Sequence, residues 1–334
     1  MVSMKDIAAK CGVSVATVSK ALNDHSDISD ETKQMISDTA KSMGYFPNSS
    51  ARALKTKRTY NLGVLFVDEG NSGLTHDYFA NVLDSFKRCA EKNGYDITFI
   101  NAQVRNNMTY LEHSRYRGVD GVVIACVDFY DKDVQDLINS DLPVVTIDHV
   151  FDNRISVVSD NIGGMRDLIN FIYEKGHRKI AYIYGDNTAV TQNRVASYYN
   201  TMKRLNAEVS DDYLCESSYR SPKKAGEITK KLLSLENRPT CIIYPDDYSC
   251  IGGLNAISEM GLSVPEDISV AGYDGLYVSQ IIDPKLTTVA QDTAEIGRIA
   301  AEELIKLIED PRATLIEKIM VSGSVLPGKS VGIL

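Results

Sequence analysis

The sequence lacks what would send it into a membrane or through one. No apolar run approaches the roughly 20 residues that span a bilayer, and the N-terminus MVSMKDIAAK has no apolar signal-peptide core. The six cysteines (11, 89, 126, 215, 241, 250) form no CxxC pair. Cys11 and Cys126 lie in apolar runs, which reads as buried thiols in a reducing compartment. The expected location is therefore cytoplasmic, where the triplets at Asn48 and Asn107 would not be glycosylated. Catalytic signatures are missing as well. There is no GxSxG, HExxH or GxxxxGK[ST], and no GxGxxG follows the first body strand. The five histidines (25, 76, 113, 149, 177) show no metal-ligand spacing. An enzyme reading has no positive support, and no cofactor or metal is expected.

What is present is a long, mixed chain. With 334 residues, 43% of them hydrophobic, it can bury a large core and fill two or three domains. The formal charge of −9 is divided unevenly: residues 1–60 hold nine Lys/Arg against six Asp/Glu, so the remainder carries −12. A small basic head on an acidic body confines nucleic-acid binding to the head. The head's modest charge makes two heads on one duplex the expected mode of tight binding.

Residues 5–22, KDIAAKCGVSVATVSKAL, carry two short helical patterns joined by a tight turn. Ile7, Ala8, Cys11, Val13, Val18 and Leu22 can share one small core. Gly12 breaks the first pattern and Ser14 is a good N-cap for the second. Val15, Ala16, Thr17 and Lys20 then fall on the exposed start of the second helix, where a DNA-reading helix presents its base contacts. A plain helical hairpin remains the alternative on these residues alone. A third helix is expected over 30–43, with Thr32, Met35, Ile36, Thr39, Ala40 and Met43 on one side and Gly44 as its stop.

From Asn61 onward, short apolar runs alternate with amphipathic segments. Strands are expected over 62–67, 97–100, 121–127, 143–147, 180–184, 241–244 and 268–271, and helices over 78–93, 164–175, 190–205, 223–235 and 249–260, among others. Repeated strand-helix-strand units imply parallel sheets covered by helices. Their length implies two lobes. In such sheets ligands sit beyond the carboxyl ends of the strands, which draws attention to Asp68, Asp148, Asp246, Asp247 and Asp274. Acids after strands are also common helix caps, and Asp247 is the one expected to cap the helix that follows. His76 and His149 are within reach of the same edge.

Three helices followed by YFPN and ARAL closely resemble the headpiece and hinge of the lactose-repressor (LacI/GalR) family. Residues 160–165, 174–183, 244–275 and 284–292 match further family blocks, so the resemblance covers essentially the whole chain. It implies a small all-α helix-turn-helix headpiece plus an α/β body, a two-lobed type I periplasmic-binding-protein-like fold with parallel sheets. The implied domains are a headpiece (1–46), a hinge helix and linker (47–60), an N-terminal lobe (61–158 plus 292–320) and a C-terminal lobe (159–291 plus 321–334), with crossovers near Ser159, Gln291 and Met320.

By the same resemblance Ser14, Val15, Ala16, Thr17, Ser19, Lys20 and Asn23 face DNA, and Ser29, Thr32 and Tyr45 touch phosphates. Asn48, Ala51 and Leu54 belong to a hinge helix that folds on the operator, with Leu54 as a minor-groove wedge. Val15 and Ala16 offer only apolar contact, leaving Thr17, Lys20 and Asn23 for polar readout. Lys20 stands where many relatives carry Arg, so a point charge replaces a bidentate fork.

In the body, Tyr78 and Phe79 match a ligand-stacking aromatic pair, one of which core packing would claim. Asp148 and Asp274 match acids that bind sugar hydroxyls, Arg194 an effector-contacting arginine, and Tyr219 an aromatic at the mouth; Asp246 joins them as a strand-end acid. Carboxylates suit hydroxyl donors and aromatic faces suit a pyranose. With Arg194 the only obvious cation, the expected effector is a small neutral sugar.

The implied partners are pseudo-palindromic double-stranded operator DNA, the effector and a second copy of the chain. No leucine heptads follow the last body strand, so a homodimer is expected. The implied function is an allosteric repressor of a sugar-utilisation operon. A corepressor-dependent or global catabolite regulator is the alternative, with a sugar-binding transport receptor more remote.

Overall fold

The computed structural model describes residues 2–45, 58–67, 73–101 and 108–334. The chain divides into two compact units, Met1–Thr59 and Tyr60–Leu334.

The described residues of the first unit form three helices: α1 (Met4–Cys11), α2 (Val15–Leu22) and α3 (Asp30–Ser42). Each start is capped by a serine. Ser3 and Asp6 form a reciprocal capping box, Ser14 accepts from the Thr17 N–H at 3.0 Å, and Ser29 accepts from the Thr32 N–H at 3.3 Å. Gly12 ends α1 at φ 67°, a left-handed conformation that only glycine takes cheaply. The three helices enclose Ile7, Ala8, Val18, Ala21, Ile36 and Ala40, with Cys11, Val13 and Leu22 half-buried around them. Met35, expected on the core side of α3, is 42% exposed. The buried stripe runs through Ile36 and Ala40, and Met35 lies one position off it.

The body is a two-lobed α/β fold. Its first sheet is wholly parallel, in the order β11-β5-β4-β3-β1-β2, from β1 (Asn61–Phe66), β2 (Asp96–Ile100), β3 (Gly121–Ala125), β4 (Val144–Ile147), β5 (Ile155–Ser159) and β11 (Lys318–Val321). β3, β4 and β5 are buried along their whole length, as strands covered on both faces must be. Covering helices are α4 (Asp77–Lys92), α5 (Tyr110–Arg117), α6 (Lys132–Ile138) and α12 (Thr293–Glu309). α4 and α12 cross so closely that a Cβ on Gly297 would stand 2.1 Å from the Val82 carbonyl.

The second sheet runs β7-β6-β8-β9, also parallel, from β6 (Ile180–Tyr184), β7 (Leu214–Glu216), β8 (Cys241–Ile243) and β9 (Ser269–Ala271). It is covered by α7 (Asn161–Glu174), α8 (Ala189–Arg204), α9 (Pro222–Leu233) and α10 (Asp247–Glu259), with a short α11 (Tyr277–Ile281) beyond β9. An antiparallel ribbon of β10 (Thr288–Ala290) and β12 (Ser324–Leu326) completes this lobe. The chain passes between lobes after β5, after β10 and after β11. All six cysteines are free thiols; Cys241 and Cys250 are buried, whereas Cys11 and Cys126 are only half-buried, because each sits at the end of its element.

Candidate functional site

On the head, the start of α2 is the exposed face. Val15 is 41% exposed, and Ala16, Lys20 and Asn23 are exposed beside it. The side chains expected to read bases are engaged within the head. Thr17 shares a 2.8 Å hydroxyl contact with Ser14, Asn23 donates to the Ser19 carbonyl at 2.6 Å, and Lys20 is ion-paired with Asp27. Ser29 and Thr32 bond to one another at 2.9 Å, and Tyr45 packs against the helical core. Asp27 lies seven residues beyond Lys20 in a loop, so no periodicity announces that pair. Asn48, Ala51, Leu54 and Asp68 lie outside the described residues.

In the body, side chains from the carboxyl ends of both parallel sheets gather in one cleft. Asp148 follows β4 at φ 59° and Asp274 follows β9 at φ 99°, conformations costly for a residue with a Cβ. Tyr78 donates to Asp148 at 2.9 Å and the Ser159 N–H donates at 3.0 Å. Burial pushes the Asp148 carboxyl above its ordinary range. Tyr78 is thus both core and site: its ring is buried while its hydroxyl holds the acid. Phe79 packs edge-on against it, ring centroids 4.9 Å apart, with Phe66 5.6 Å away on the other side.

Arg194 is 3% exposed and held from several directions. Its Nε donates to Asn161 at 2.7 Å, its Nη1 donates to the Pro245 carbonyl at 2.9 Å, and its Nη2 stands 3.9 Å from Asp274. Its guanidinium lies 3.5 Å from the centre of the Tyr273 ring. Asp274 also accepts from Gln291 at 2.7 Å, and burial outweighs the arginine to push its carboxyl up to about 7. Tyr219 bonds Thr191 at 2.8 Å and lies flat over Gly185, where a Cβ would come within 2.4 Å of the ring.

The two adjacent acids of α10 exchange the expected roles. Asp246, not Asp247, is the N-cap: its backbone is extended and its carboxylate accepts from the Ser249 N–H at 2.8 Å and the Arg220 N–H at 2.7 Å. Asp247 is the first helical residue, and its carboxylate turns inward to the Leu276 N–H and the Thr288 hydroxyl, both at 2.7 Å. Burial holds it well above the ordinary carboxylate range.

Several cleft residues were not singled out in the sequence. Tyr248 donates across the lobes to Asp77, and Arg220 Nη2 donates to the Thr75 carbonyl at 3.2 Å. Asn161 and Gln291 lie within family-like blocks, and Arg220 adjoins Tyr219, but nothing in spacing distinguishes them. His149 stacks on Phe129, centroids 4.3 Å apart, and His76 packs against Phe79 at the start of α4. Among the described residues, no His, Cys, Asp or Glu cluster could hold a metal ion, and no helix is long and apolar enough to cross a membrane.

Comparison with known proteins joins head and body. Residues 3–48 match the family model for bacterial regulatory proteins of the lacI family, and residues 169–331 match a periplasmic binding protein-like domain. The HTH-type transcriptional repressor PurR of Mannheimia succiniciproducens is 31% identical over 318 residues, 92% of each chain. The lac repressor dimer bound to operator and the anti-inducer ONPF superposes with a TM-score of 0.82 at 24% identity, covering 99% of both chains. A LacI-family regulator from Enterococcus faecium with bound ribose superposes at 0.70 with 24% identity, covering 82% of this chain and 99% of that one. The chain therefore belongs to the LacI family of bacterial regulatory proteins and is a DNA-binding transcriptional repressor of that family.

Proposed function

We propose that the chain acts as a homodimer whose affinity for a pseudo-palindromic operator is set by a small sugar held between its lobes. The observation that carries this reading is the convergence of Asp148 and Asp274 from the two sheets, at strand ends whose backbone is held in costly conformations, with Arg194 of α8 beside Asp274. Carboxylates accept hydrogen bonds from hydroxyls, and Tyr219 offers an apolar ring face beside them. Bound ribose in the Enterococcus faecium structure supports the same class. The headpiece (1–46) reads the operator through α2, and the hinge (47–60) couples it to the lobes 61–158 plus 292–320 and 159–291 plus 321–334.

The allosteric step is a coupling free energy. An effector that favours the closed cleft changes operator affinity, and operator must change effector affinity by the same factor. The test is fluorescence anisotropy on a labelled operator drawn from upstream of the gene, at fixed salt, titrated with a sugar panel. Release by one sugar supports induction. Binding only in its presence reverses the sign to corepression. No response to any sugar removes the sugar reading.

A further inference from the structure

Arg194 is the cation that sequence reasoning offers to an effector, yet its three nitrogens already face Asn161, the Pro245 carbonyl and Asp274. It is a strut of the second lobe. Among the described residues, a second cationic side chain at the cleft is Arg220, and its situation is different. Its Nη2 donates to the Thr75 carbonyl on the opposite lobe, and its guanidinium stands 5.0 Å from the centre of the Tyr248 ring. Its Nη1, bonded to the same carbon, is buried and has no hydrogen-bond partner among the described residues. An unsatisfied buried donor on a permanent cation is costly unless something else meets it.

Among the described residues, the second lobe holds two further buried polar atoms without partners. Ser217, three residues before Arg220 where β7 ends, has a buried hydroxyl with none; so does Tyr182 on β6, which lies in the electrostatic field of Arg194, Tyr219 and Asp246. The acids around the cleft are by contrast engaged: Asp148 by Tyr78, Asp246 by Ser249, Asp247 by Thr288 and Asp274 by Gln291. What the described residues leave unpartnered is thus a cationic donor facing the opposite lobe, with two hydroxyls of the same lobe likewise unpartnered.

We propose that Arg220 receives a carboxylate of the effector, so that the ligand is an acidic sugar rather than a neutral one. This rests on the sugar reading above and narrows it. One open guanidinium nitrogen suits a carboxylate better than a phosphate dianion, which calls for several cations. The surrounding acids do not forbid an anion, because burial raises all four carboxyls and holds Asp274 at about 7. Since Arg220 also bonds Thr75, a carboxylate seated on it would add to the contacts that hold the lobes together.

The test is isothermal calorimetry of the full chain with matched pairs: galactose against galacturonate, glucose against glucuronate and gluconate, with the two hexose 6-phosphates alongside. The acid of one pair is expected to bind about tenfold tighter or more than its neutral partner. Arg220→Met should bring both members to the neutral sugar's affinity, and Arg220→Lys should keep part of the preference. Residual binding of the neutral member shows that Arg220→Met is folded. Equal loss for both members would make Arg220 a lobe clamp and overturn the proposal, as would tighter binding of a 6-phosphate. Binding of neutral sugars alone removes the carboxylate assignment but keeps the sugar reading. Binding of no member of any pair removes both.

Discussion

The head and the body bury side chains in opposite ways, and the difference decides what each can do. The head closes six side chains inside three helices that lie within 40 residues of one another, and its reading face is the surface left over. The body draws its cleft from residues as distant as Thr75 and Gln291 and buries the very groups that would touch a ligand. A head of this kind has little stability to spare, whereas the larger body buries a greater share of its surface. The largest effect should therefore come from the smallest core. Ile36→Ala removes a fully buried side chain, a change that costs about 2–5 kcal/mol, comparable to all that a three-helix unit can muster. We expect specific operator binding to vanish while calorimetric effector binding is unchanged. The same deletion at Ile183, equally buried in the second lobe, should lower the body's melting temperature and leave operator binding measurable. Retained operator affinity in Ile36→Ala would erase the contrast.

Next in size is Arg194→Met. It strands Asn161, the Pro245 carbonyl and Asp274 in a buried site, and breaking such a pair costs about 3–5 kcal/mol. The body's melting temperature should drop and the effector response disappear, with operator binding in the absence of effector intact. An effector titration unchanged from the parent chain would show that the site does not depend on this strut.

How much of this was legible in advance divides along the same line. The Ser14 cap, Gly12, Gly44 and the head's apolar spacing are local signals, so the head's three helices and most of its core could be read off directly. Parallel strands with continuous apolar runs, expected over 121–127 and 180–184, were equally plain, the first ending two residues early at Ala125. β5, β7 and the β10–β12 ribbon were not, being three to five residues long with no periodicity of their own. Within the cleft, strand-end position found Asp148 and Asp274. It could not tell Asp246 from Asp247, since that turns on which of two adjacent residues leaves the helical backbone conformation. Nor could it pair Lys20 with Asp27 or Arg220 with Thr75, which depend on where loops return.

A smaller effect concerns protonation. Asp274 titrates near 7 in the folded chain against an ordinary 3.8, so the folded state holds a proton that the unfolded state has released. Its contribution to stability is complete below about pH 4 and is lost as pH rises to about 7, with a slope of up to about 1.4 kcal/mol per pH unit. Asp274→Asn should flatten that part of the stability curve in urea melts at pH 5, 6, 7 and 8. Hydroxyls donating to Asp274 favour its ionised form, so a neutral sugar should release a proton on binding near neutral pH, visible as a buffer-dependent heat, whereas a ligand carboxylate opposes that release. Parallel stability curves for parent and variant would show that this acid titrates normally.

The smallest effect on stability, and the sharpest test of the head, is at Lys20. Its ion pair with Asp27 is solvent-exposed, and such pairs contribute little to folding, so Lys20→Ala should leave the head's melting temperature unchanged. Its consequence is for DNA. If Lys20 meets a phosphate, the variant loses affinity alike for operator and unrelated duplex, and the slope of log K against log salt shrinks by about 0.9. If it meets a base, the slope holds and discrimination at one operator position falls instead. The partner acid supplies the converse experiment. Asp27 must release Lys20 before the lysine can turn to DNA, and its own charge opposes the phosphates, so Asp27→Asn should tighten operator binding where Lys20→Ala weakens it. In the double variant the gain from Asp27→Asn should be smaller than in the parent, because only charge repulsion remains to be relieved. An undiminished gain would mean that the pair plays no part in how the head reads DNA.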